Sequence, residues 1–238
     1  MVSLSDLRIK IFADGADKSG IVDMARVPYI RGFTTNPTLM RQAGVSDFEG
    51  FAREIIPLLD GRPISLEVFT DEFDEMEQQA LTIASWGANV YVKIPVTNTR
   101  GESSCPLIRK LSEKGLRLNV TAITTLDQVE RVSAAMSPGT EGILSVFAGR
   151  IADTGRDPVP LMRTAREMID GNAGLELLWA SPREILNIFQ AESIGCHIIT
   201  VTNDLLRKAS CLGKDLEVYS LETVRMFYAD AQRAGYSV

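Results

Sequence analysis

A chain of 238 residues, 45% of them hydrophobic, can bury one large core, and barrels of alternating strands and helices commonly occupy about 200 to 250 residues as one unit. Twenty-five basic residues against 31 acidic ones give a net charge of -6 with no basic stripe, which excludes nucleic acid as a general partner. The opening MVSLSDLRIK has no signal-peptide core, no apolar run approaches the roughly 18 residues of a membrane span, and Cys105, Cys196 and Cys211 lack metal-ligand spacing; the expectation is a cytoplasmic chain with reduced thiols and no membrane partner.

Short apolar, β-branched runs recur along the chain, each followed by helix formers. They are Ile9 to Asp14, Ile30 to Thr35, Ile64 to Phe69, Val90 to Pro95, Leu116 to Ala122, Gly142 to Ala148, Leu175 to Ala180 and His197 to Thr202. Helix candidates lie between them at Asp47 to Leu59, Asp71 to Trp86, Ser103 to Lys114, Leu126 to Met136, Pro158 to Asp170 and Pro182 to Glu192. Asp157-Pro158 and Ser181-Pro182 each pair a capping residue with a proline suited to the first helical position. Eight strand–helix alternations without a GxGxxG turn after the first strand predict an α/β fold, a closed (β/α)8 TIM barrel of parallel strands, as a single domain over residues 1–238. No linker or low-complexity tract marks a second domain. At the carboxyl end, Leu221, Val224, Phe227 and Tyr228 share a helical face, which fits either a last core helix or an oligomer contact.

In such a barrel, polar groups at the carboxyl ends of the strands read as chemistry. Those ends carry Asp14; Thr34, Thr35 and Asn36; Glu67; Lys93; Asn119 and Thr121; Ser145, with Arg150 just beyond; Ser181 and Arg183; and Thr200 and Thr202. Lys93 stands inside NVYVKIP, where a strand covered on both faces calls for Val, Ile or Leu. A lysine there must pair, reach solvent at the rim, or lose its proton and become a nucleophile. Glu67, between Leu66 and Val68, is an equally costly carboxylate unless paired. Strands three, four and five are neighbours, so Glu67, Lys93 and Asn119 or Thr121 converge on one inward-facing layer, and that convergence favours a catalytic Lys93 over a rim lysine. Asp14 also fits a turn or helix-cap duty, and Thr35-Asn36-Pro37 a plain turn leading into a helix. Arg150 and Arg183 follow strands six and seven, where such barrels hold phosphate, whereas Arg156 and Arg163 read as ordinary surface charges. The single histidine, His197, sits at the start of its strand, on the wrong side of the barrel, and Cys196 beside it points to the opposite face. The reading is of no metal site.

The stretches FADGAD (12–17), GFTTNPTL (32–39), SLEV (65–68), VYVKIP (90–95), NVTAI (119–123), SVFAGRI (145–151) and ASPR (180–183) resemble, in this order, the class I transaldolases, especially their short single-domain branch. The resemblance covers nearly the whole chain. It implies a (β/α)8 barrel that uses no cofactor and transfers a dihydroxyacetone unit between phosphorylated sugars. It matches Lys93 to the Schiff-base lysine, Asp14 to the acid/base, Glu67 to the carboxylate acting through a water, and Thr121 to the threonine holding that water. Asn36, Asn119 and Ser145 match groups that hold the dihydroxyacetone hydroxyls, Thr34 and Phe147 belong to the substrate-binding stretches, and Arg150, Ser181 and Arg183 match the phosphate site. A relative in this family cleaves fructose 6-phosphate to free dihydroxyacetone, with glutamine and tyrosine where this chain has Glu67 and Phe147; both residues side with transfer. The family pattern SPFVGRI is broken by Val146 and Ala148, which leaves an unusual sugar phosphate as an alternative substrate. Short members form rings of five or ten subunits, so a homo-oligomer is expected, with a dimer as the alternative.

Overall fold

Eight β-branched runs close into a barrel because each parallel strand, covered by helices outside and side chains within, has both faces buried. A computed structural model describes residues 3–236. The strands are β1 (Lys10–Asp14), β2 (Ile30–Thr34), β3 (Ile64–Glu67), β4 (Val90–Pro95), β5 (Leu118–Ile123), β6 (Gly142–Val146), β7 (Leu175–Trp179) and β8 (Ile198–Thr202). They pair in sequence order, all parallel, and β8 returns to β1. The expected (β/α)8 barrel is therefore present, with strand boundaries within about two residues of those read from the sequence.

The helices are α1 (Lys18–Ala25), α2 (Pro37–Gln42), α3 (Phe48–Ile55), α4 (Phe73–Ala84), α5 (Cys105–Glu113), α6 (Leu126–Ala135), α7 (Ala148–Asp153), α8 (Pro158–Met168), α9 (Leu186–Ser193), α10 (Asn203–Arg207) and α11 (Leu216–Ala234). The Asp157-Pro158 signal holds: Asp157 Oδ1 accepts the Val159 N–H at 2.9 Å and Pro158 opens α8. The Ser181-Pro182 signal does not. Helix α9 begins only at Leu186, and Ser181 sits in the left-handed region at φ 57°. The chain between them is held by Asn187, whose Oδ1 accepts the Arg183 and Glu184 N–H groups at 2.7 and 3.0 Å. The helix expected over Asp47 to Leu59 tightens at its end into a 3-10 turn, Ile56–Leu59, which contains Pro57.

One apolar layer lies between the strands and the helices, with Val92, Ile94, Leu144, Leu177 and Trp179 among its wholly buried residues. A second, smaller cluster of Phe12, Ile143, Leu178, Ala180 and Ile198, with Tyr91 and Phe147 packed against it, comes from alternate strand positions. Gly32 makes room for it, because a Cβ there would stand 2.6 Å from the Phe12 ring. Helix α11 lies outside both clusters. None of its residues is buried, so it is not a core helix of this chain.

Candidate active site

Parallel pairing sets the site's register. Glu67 of β3 stands beside Lys93 of β4, Lys93 beside Asn119 of β5, and Pro95 beside Thr121. Across the barrel, Asp14 of β1 is level with Thr34 of β2 and Thr202 of β8. Side chains on a strand alternate between faces, so these polar positions share the barrel interior. They open into a cleft of about 510 Å3 at the carboxyl ends of the strands, lined by Asp14, Thr34, Asn36, Glu67, Lys93, Asn119, Thr121, Ser145, Phe147, Arg150, Ser181 and Arg183. The twelve residues given site roles by the family resemblance all line this one cleft, whereas Thr35, also read at a strand end, is not among its lining residues and meets Lys93 through its carbonyl.

Lys93 is 6% exposed. Its Nζ lies 2.8 Å from Glu67 Oε2 and donates to the Thr35 carbonyl at 2.9 Å. The lysine is thus paired within the interior, rather than isolated there or turned out to the rim. A carboxylate in direct contact is placed to exchange a proton with the amine during a reaction. The next interior position on the β5 side is braced from both flanks. Asn119 Nδ2 donates to Ser65 Oγ at 2.9 Å, and Ser145 Oγ donates to Asn119 Oδ1 at 2.6 Å. Those two bonds fix the orientation of the amide. Thr121 Oγ1 is buried with no hydrogen-bond partner among the described residues, so its donor and acceptor remain for a bound reactant or solvent. Ala122, at φ 64°, kinks β5 directly after it and joins the cleft wall.

On the opposite wall, Thr34 Oγ1 donates to Asp14 Oδ1 at 2.7 Å and is also hydrogen-bonded to Thr200 Oγ1. A hydroxyl has one proton, so Thr200 donates to Thr34. Burial raises the Asp14 carboxyl above its ordinary range, and nearby Glu67 adds to this, while the Lys93 charge and the Thr34 hydrogen bond pull it back. Asn36 leads into a helix, as its alternative reading had it, and also caps it: Oδ1 accepts the Leu39 N–H of α2 at 3.0 Å. Its amide nitrogen has no hydrogen-bond partner among the described residues.

The rim is made by two backbones in contact. A Cβ on Gly149 would stand 1.5 Å from the Ser181 carbonyl oxygen, and the Gly149 N–H donates to the Ala180 carbonyl at 3.2 Å. Glycine is required at this approach. Arg150 leaves α7 at the mouth, and Arg183 faces it from the loop after β7. Arg183 Nε donates to Asp153 Oδ1 at 3.0 Å, and its Nη2 pairs with Oδ2 of the same carboxylate. Val146 and Ala148 close β6 and open α7, both fully buried. His197 Nδ1 accepts the Leu177 N–H at 2.9 Å at the opposite end of the barrel, and burial pushes the Cys196 thiol up to about 12. Neither contributes to the cleft, and no group of three or more His, Cys, Asp or Glu among the described residues is placed to hold a metal.

Two residues that the strand-end reading did not single out take part in the geometry. Ser65 is two positions before Glu67 and therefore on its face. Asp153 gave no local signal, since its partner lies 30 residues away.

A parallel barrel with a buried amine–carboxylate pair inside its carboxyl-end mouth and two arginines on the rim has the layout of an enzyme active site. The chain belongs to the transaldolase/fructose-6-phosphate aldolase family, whose model matches residues 11–238. A Listeria monocytogenes protein described as "probable transaldolase 2" is 36% identical over 202 residues, 84% of this chain and 88% of that one. "Probable transaldolase" of Streptococcus agalactiae is 37% identical over 194 residues, covering 81% and 86%. Among solved structures, KGPDC from Streptococcus mutans superimposes with a TM-score of 0.56 at 12% identity, over 82% of this chain and 88% of that chain, a likeness of fold alone.

Proposed function

We propose that the protein is a transaldolase that moves a dihydroxyacetone unit from a ketose phosphate, fructose 6-phosphate or sedoheptulose 7-phosphate, to an aldose phosphate through a Schiff base on Lys93. The observation that carries this reading is the contact of Lys93 Nζ with Glu67 Oε2 at 2.8 Å inside the barrel. Glu67 takes the ammonium proton, the free amine attacks C2 of the ketose, and Glu67 returns that proton through a water to the carbinolamine hydroxyl, which leaves as water to give an iminium. Asp14 then accepts the proton of the C4 hydroxyl. The C3–C4 bond breaks, C4 becomes the aldehyde of the departing aldose phosphate, and the electron pair moves onto C3 as an enamine with the iminium as its sink. Asn36, Asn119 and Ser145 hold the hydroxyls of the retained unit until a second aldose phosphate arrives and the steps reverse. Thr34 keeps its donor on Asp14, and Thr121 steadies the water released and consumed at C2. Phe147 walls the cleft, and Arg150, Arg183 and Ser181 receive the phosphate.

Borohydride reduction in the presence of fructose 6-phosphate, followed by peptide mass mapping, is expected to leave a three-carbon adduct on Lys93. No adduct there sinks the proposal. The family description covers aldolases as well, so a second reading is a lyase that releases dihydroxyacetone. Sustained release without an acceptor aldehyde favours it, whereas Glu67 and Phe147 favour transfer. The remaining parts of the reading are a single catalytic domain over 1–238, a homo-oligomeric ring, and a cytoplasmic setting in which the three free cysteines stay reduced.

A further inference from the structure

The rim holds one carboxylate that the transfer reaction does not use. Asp153 ends α7, three residues after Arg150, and so lies near the same face of that helix. It grips Arg183 from the neighbouring loop through Nε and Nη2. A guanidinium offers two bidentate edges, Nε/Nη2 and Nη1/Nη2. Asp153 occupies the first and leaves both Nη1 protons without a protein partner among the described residues. Arg150 makes no ion pair among the described residues, and both arginines line the cleft.

We propose that Asp153 is a positioning residue for phosphate recognition: it fixes the Arg183 guanidinium in the plane and direction that turn its open edge toward the substrate phosphate, beside Arg150. This rests on the reading of Arg150 and Arg183 as the phosphate site. Two effects of a carboxylate here oppose each other. It subtracts one charge from a site for a dianion, and it removes the rotamer freedom of a long side chain before the ligand arrives. Both partners of the pair are about half exposed. There, solvent and salt weaken the Coulomb part, while a bidentate fork still sets direction. Positioning therefore wins. The carboxyl group stays ionised throughout the neutral range, held below its usual value by the Arg183 hydrogen bond first and then by the charges of Arg183 and Arg150. The backbone contact of Gly149 with Ser181 fixes the same two segments further back, so Asp153 secures the side chain on an already fixed loop.

The test uses the full-length protein, Asp153→Asn, Arg183→Ala and the double variant. Calorimetric titration with inorganic phosphate is expected to show about fivefold weaker binding in Asp153→Asn, and KM for fructose 6-phosphate should rise by a similar factor with kcat held within about twofold. In the Arg183→Ala background the Asp153 change is expected to add nothing, since it acts only through that guanidinium. Asp153→Ser serves if the asparagine variant does not fold. Phosphate binding as tight as, or tighter than, that of the unaltered protein overturns the inference, as does an undiminished Asp153 effect without Arg183. Borohydride trapping on unaltered Lys93 separates this failure from failure of the transaldolase reading, because adduct formation there does not depend on Asp153.

Discussion

Asp14 faces three ionisable or hydroxyl-bearing neighbours from different strands, Thr34 on β2, Glu67 on β3 and Lys93 on β4. Burial outweighs the attraction of Lys93, and the folded carboxyl lies above its ordinary 3.8. The folded chain therefore binds this proton more tightly than the unfolded chain does. Stability contributed by Asp14 falls as pH climbs from about 3.8 through the raised value, and the cost is complete above it. Asp14→Asn keeps the shape and the acceptor for Thr34 but has no charge to bury. It is expected to raise the melting temperature at pH 7 by about 2–4 °C, corresponding to roughly 1 kcal/mol in a chain of this size. The gain should vanish below pH 4, and transfer activity should be lost. Thermal melts at both pH values check this. A variant less stable than its parent at pH 7 would show that the Lys93–Asp14 attraction, not burial, dominates the site.

Between strands and helices, the segments that matter most are the two that carry the arginines, and they meet backbone to backbone. Gly149→Ala places a methyl group where the Ser181 carbonyl oxygen already stands, so the α7 start and the loop after β7 must part. The expected destabilisation is about 1–3 kcal/mol, read from denaturant unfolding, together with a raised KM for phosphorylated substrates as Arg183 moves away from Arg150. Unchanged stability and KM would mean that the loop is not anchored at Gly149. These two segments are also where sequence reasoning met its limit. The strands were legible because β-branched runs in this barrel are buried on both faces, and Lys93 and Glu67 were legible because charged residues break such runs. Helices α2, α7 and α10 have five or six residues each, too few for a 3.6-residue period to register. At Ser181-Pro182 the local signal for a helix start was real but was overridden. Ser181 takes a left-handed conformation against Gly149, and Asn187 gathers the next two N–H groups. Asp153 was invisible for a related reason: only the closed barrel brings α7 beside the β7 loop.

On the scale of the whole molecule, the barrel is closed by β8 against β1 before α11 begins, and α11 leaves Leu221, Val224, Phe227 and Tyr228 between 48% and 68% exposed. This apolar stripe runs about 10 Å along a helix of 19 residues, and an uncovered apolar patch of this kind marks a contact surface. A second copy of the chain is the occupant that suits the homo-oligomer expected of this family. Val224→Asp with Phe227→Asp puts two charges into the middle of that stripe. If α11 is the contact, sedimentation should show the assembly falling toward the 26.1 kDa of one chain, while circular dichroism and the melting transition of the barrel persist, since no core side chain has been touched. Retention of the full assembly mass would move the interface elsewhere. Loss of the barrel's cooperative melt along with the mass would instead make α11 part of each subunit's own fold. An unaltered protein that sediments as a single chain would remove the oligomer from the account. The starting mass also distinguishes the closed arrangements, because a ring joins two different patches on each subunit and a dimer joins one patch to itself. A mass of five or ten chains that collapses on altering α11 alone therefore implies a second, separate receiving surface on the barrel.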